Sequence, residues 1–152
     1  MKTRLRWLFI YLITACDSPE PDLKLIFDGG WNWIETSGIE SDGAPFYKEP
    51  DSEGYDWSFL FYDEQKTKGK LQTYKDEVKD VQYSYEYTIS NDPLQQKLIL
   101  INLQGGSGLP EIYYWEIAES NFYTHLYLKN VNYFSEECCN LKLVHHFVLQ
   151  KD

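Results

Sequence analysis

Trp31 and Trp33 stand two residues apart behind a pair of glycines, in the run Gly29-Gly30-Trp31-Asn32-Trp33-Ile34-Glu35-Thr36. Strand side chains repeat every second residue, so this spacing puts both indoles on one face of an extended segment. Two indoles on one face carry enough apolar area to seed a core. Gly29 and Gly30 permit a sharp bend, or a close backbone approach, just ahead of them. The same period recurs downstream, where Val81, Tyr83, Tyr85, Tyr87 and Ile89 alternate with Gln82, Ser84, Glu86 and Thr88. One face is apolar and the other wet, which is the pattern of a half-buried strand.

Extending this reading along the chain predicts strands at about 30–36, 55–62, 70–75, 81–89, 97–104, 112–118, 122–129 and 141–150. The third is polar and expected to be short. Residues 37–54 read as a long loop rich in Gly, Pro, Ser and acid, and 130–140 as a second. The Gly-rich run 104–110 lacks the following helix and Lys-Ser/Thr pair of a phosphate cradle, so it reads as a turn. Helical spacing is suggested only at 76–79. Aromatics make up 17% of the chain, a usage that suits a β-rich core. The implied architecture is all-β: an eight-stranded antiparallel up-and-down barrel, which removes exposed sheet edges. An open two-sheet β-sandwich is the alternative.

The N-terminus reads separately. Lys2, Arg4 and Arg6 precede the apolar run 7–13, too short for a membrane span of roughly 20 residues but suited to a secretory leader. It ends in Ile13-Thr14-Ala15-Cys16, which resembles the bacterial lipobox. In lipoproteins with that motif the Cys thiol takes the lipid and becomes the mature N-terminus. The expected division is a signal peptide over 1–15, lipidated Cys16 and its tether over 16–28, and a barrel domain over 29–152. An ordinary cleaved leader with an incidental Cys is the other reading. Lipidation implies a bacterial cell envelope location and a membrane as partner through the lipid anchor; which membrane and which face stay open.

Gly29-x-Trp31 resembles the Gly-x-Trp signature that opens lipocalins. The longer string from Trp31 to Ile39 is similar to the first strand of small bacterial lipocalin-like (calycin-type) lipoproteins. That family continues Thr-Ser-Gly-Gly-Ile, whereas this chain has only Gly38 before Ile39. The segment 139–148 is loosely similar to the family's last strand. The resemblance implies a lipocalin-like barrel, with Gly29, Trp31 and Trp33 as its structural signature, and no enzymatic activity.

A net charge of −10 argues against nucleic acid, whose backbone selects for Lys and Arg. Cys138 and Cys139 are adjacent and pair with each other only through a strained ring, so free or intermolecular thiols are the simpler reading. His125 and His145 would meet if the last two strands pair, with Glu116 as a third metal ligand; half-exposed histidines and no metal are the default. No Ser-His-Asp spacing or facing carboxylate pair points to an enzyme or a cofactor. The remaining candidates are aromatic: Trp57, Tyr83, Tyr85, Tyr87, Tyr114, Trp115 and Tyr127. Facing inward they would line a cup for a small hydrophobic ligand, with tyrosine hydroxyls to orient it. Packed tightly they would fill the barrel, leaving the loops 39–54 and 130–140 to meet another envelope protein.

Overall fold

The computed structural model describes residues 27–65, 67–104, 109–135 and 140–150. Its strands are β1 (Gly29–Ile39), β2 (Pro45–Lys48), β3 (Trp57–Gln65), β4 (Lys68–Lys75), β5 (Val78–Tyr87), β6 (Lys97–Asn102), β7 (Glu111–Glu119), β8 (Tyr123–Asn130) and β9 (Lys142–Gln150). A single helical turn, α1 (Pro50–Glu53), lies between β2 and β3. Each strand pairs antiparallel with the next around the sheet, and β1 pairs with both β3 and β9. Eight strands thereby close into a barrel, and the sandwich alternative falls. Among the described residues no helix is long and apolar enough to cross a membrane.

β1 is the strand that makes closure possible, because it is long and serves two neighbours along one edge. Gly29 to Asn32 pair with β3, and from Thr36 to Ile39 that edge is taken by β2. The other edge pairs with β9 from Asn32 to Ile39. Residues 37–54 are therefore not one long loop. Because β3 covers only the first half of β1, hydrogen-bonding groups of the second half are free to recruit a short extra strand. Gly29 opens β1 at φ +123°, a conformation that residues with a side chain rarely adopt. A bulge between Trp33 and Glu35 shifts the inward phase. Trp31 and Trp33 face in before it, and Thr36 faces in after it.

Two further expectations are corrected. The third strand is neither short nor wet: β4 buries Gly69, Leu71, Gln72 and Thr73. Its polar members are accommodated because the Gln72 amide and the Thr73 hydroxyl both donate to the Val81 carbonyl, at 3.1 Å each. The suggested helical stretch at 76–79 is instead a two-residue hairpin turn between Lys75 and Val78. Asp76 and Glu77 both have positive φ, 50° and 64°, which is the backbone of the tight turn that matches strand twist.

The lower barrel is filled by aromatic rings. Phe27, just ahead of β1, lies between Phe61, Tyr87 and Trp115, with ring centroids 5.1, 4.8 and 5.2 Å away. Trp31, Phe61, Leu71, Leu98, Leu126 and Phe147 are fully buried around it. Phe59 and Phe147 stack at 4.3 Å higher up. Such offset and edge-on pairs add to the area buried. This floor lies at the end of the barrel where β1 begins.

Candidate functional site

At the opposite end the rings stop short of the rim and leave an open cavity of about 320 Å³. β1 contributes Trp33 and Thr36, and β2 contributes Phe46 and Lys48. Tyr55 and Trp57 lead into β3, and Leu143 and His145 come from β9, with Glu40 and Leu141 at the edge. The walls are aromatic. Trp33 stacks with Tyr55 at 5.8 Å and meets Trp57 edge-on at 6.3 Å. Lys75 Nζ lies 3.8 Å from the Tyr55 ring centre, on which it makes a cation–π contact. Gly38 makes the β2 wall possible: a Cβ there would collide with the Lys142 carbonyl and the Phe46 ring.

A polar chain runs along the floor of this cavity. Trp33 Nε1 donates to Thr36 Oγ1 at 3.0 Å, and Thr36 Oγ1 lies 2.8 Å from His145 Nδ1. The bulge in β1 creates this alignment, since unbroken alternation would send Thr36 outward. Burial pushes the His145 imidazole down to about 4, so it is neutral at physiological pH. Trp57 and Tyr113 pack edge-on against its ring. Tyr113 donates to Glu111 at 3.2 Å, and Tyr83 donates to the same carboxylate at 3.4 Å. Burial and then Glu111 raise both phenols, Tyr83 to about 12, so both remain protonated donors.

The aromatic candidates separate by face. Trp57 lines the cavity, and Tyr83 sits half-buried on the inner face of β5. Tyr85, Tyr87 and Trp115 are 3, 2 and 6% exposed and belong to the packed core below. Tyr114 and Tyr127 point outward, because their strand neighbours Trp115, Leu126 and Leu128 point in. Tyr114 packs edge-on against Phe134, and Tyr127 stacks on His146 at 4.5 Å. Gly29, Trp31 and Trp33 lie along β1 from floor to mouth.

The histidines also divide. His145 faces in and His125 faces out, so they do not meet; His125 Nδ1 instead lies 3.0 Å from His146 Nε2 on the outer surface. Glu116 pairs there with Lys129 at 2.6 Å. Among the described residues no group of three or more His, Cys, Asp or Glu is placed to hold a metal ion. Cys16, Cys138 and Cys139 lie outside the described residues.

Thr36, Phe46, Tyr55 and the inward role of His145 were not singled out from sequence. One signal for the first existed: Glu35, a carboxylate, stands at the position that alternation from Trp31 and Trp33 assigns to the core. A charge in that phase marks a break in alternation.

No protein-family model and no curated protein matches this chain. Among solved structures it is similar to a de novo designed fluorescence-activating β-barrel, at 12% identity and a TM-score of 0.40, over 83% of this chain and 95% of that one.

Proposed function

We propose that this protein is a lipid-anchored bacterial envelope lipoprotein that holds a small hydrophobic ligand in the mouth of its barrel. The observation that carries the reading is the cavity itself. A volume of about 320 Å³ walled by Trp33, Phe46, Tyr55 and Trp57 lies within the usual ligand-site range of about 300–1,000 Å³. The ring-packed floor confines the ligand to the upper barrel. On this reading the protein binds and does not catalyse.

The anchoring part of the reading rests on the lipobox-like Ile13-Thr14-Ala15-Cys16. The test of binding is native mass spectrometry of the protein extracted from its own cell envelope. A small molecule that co-purifies and is lost on denaturation, and that Trp57→Ala no longer retains, supports the reading. A protein that arrives empty and whose tryptophan emission is unmoved by apolar aromatic probes overturns it. Capture of a protein partner by the rim segments in that case would favour the filled barrel acting as an envelope interaction module.

A further inference from the structure

The polar chain below the cavity fixes which end of His145 is available. Thr36 is 6% exposed and its hydroxyl accepts from Trp33 Nε1. A buried hydroxyl must also place its own hydrogen, and His145 Nδ1, at 2.8 Å, is the acceptor in reach. Nδ1 is then the unprotonated nitrogen, and the proton of the neutral ring sits on Nε2. No hydrogen bond from Nε2 to a protein group is formed among the described residues. The side chain that carries it lines the cavity.

Resting on the reading of the mouth as a ligand site, we propose that its ligand is a flat, ring-bearing molecule with one hydrogen-bond acceptor, such as a carbonyl oxygen or ring nitrogen, that receives the Nε2–H of His145. The aromatic walls select flat rings by offset and edge-on contact. The acceptor is demanded by the donor: covering Nε2–H with a purely apolar ligand would strand a buried polar group. His145 is thus a specificity residue for the proposed ligand, and Thr36 positions it.

Two neutral fluorescent probes test this on the full chain: propionyl-dimethylaminonaphthalene, which carries a carbonyl acceptor, and dimethylaminonaphthalene, which lacks it. The wild-type protein is expected to bind the ketone about tenfold more tightly than its parent, the scale of one buried hydrogen bond. His145→Phe should erase that preference while still binding the parent probe. His145→Gln, whose amide N–H falls near the place of Nε2, should restore part of it. The infrared carbonyl stretch of the ketone bound to wild-type protein gives a reading that needs no variant, and it should be lowered from its value in dry alkane. Binding of both probes with equal affinity, an unshifted stretch, or a preference that survives His145→Phe overturns the inference and leaves the ligand site standing. Failure of both probes to bind wild-type protein overturns the ligand site and this inference together.

Discussion

Trp31 Nε1 donates a 2.9 Å hydrogen bond to the carbonyl of Phe27, so the same indole that fills the barrel also ties down the residue that plugs its floor. Both residues are fully buried. Trp31→Ala removes the ring and leaves a cavity, which is expected to cost about 3–5 kcal/mol in chemical denaturation. Trp31→Phe keeps most of the packing and strands the carbonyl, at a cost of about 1–3 kcal/mol. A loss below about 1 kcal/mol for the alanine variant would show that the floor is not the centre of the core.

The buried imidazole at the mouth makes stability depend on pH. His145 takes up a proton at about 4 in the folded protein and at 6.5 when unfolded. Between those values the unfolded chain binds more protons, so stability falls as pH drops from 6.5 towards 4 and levels off below. The full contribution is about 3 kcal/mol. Subtracting the unfolding curve of His145→Gln isolates it, since the carboxylates and His146 titrate in both proteins. A difference that is flat between pH 7 and 4 would show that the ring is not held neutral.

The hairpin at Asp76 and Glu77 keeps two side-chain-bearing residues at positive φ. Asp76 has a local role, since its carboxylate accepts from the Asp56 backbone N–H at 2.8 Å. Glu77 is exposed. Replacing it with glycine relieves the left-handed penalty, and Glu77→Gly should stabilise the protein by about 1 kcal/mol, read as a higher Tm. Glu77→Val, β-branched at the same φ, should lower it.

Lipid anchoring rests on one thiol. Cys16→Ala should move the protein from the membrane fraction to the soluble fraction of the cell envelope, and metabolic labelling with a fatty acid should be lost. A variant that stays in the membrane fraction would sink the lipoprotein reading.

Strand content was legible because alternation is a local property. Trp31 and Trp33 share a buried face, and Tyr83, Tyr85 and Tyr87 line one face of β5, as their spacing requires. The aromatic candidates on β7 and β8 were less well resolved. Tyr114 and Trp115 are sequence neighbours and cannot both face in, so grouping them mixed the two surfaces of the sheet. Tyr127 was misplaced for a related reason: in β8 the leucines at 126 and 128, not the tyrosine, take the core. Aromatic residues suit either face of a strand, and only the phase of their neighbours decides.

By itself the sequence determined an all-β chain of about eight strands whose first strand carries two core tryptophans. Those features follow from side-chain sterics and from the period of two, which act between near neighbours. Tertiary structure decided the rest. The pairing of β1 with β9 closed the barrel, and the half of β1 left open by β3 drew in β2. The bulge after Trp33 turned Thr36 inward to meet His145, 109 residues away in the chain. Such contacts depend on which backbone edges remain unpaired once the sheet has formed, and no local pattern carries that information.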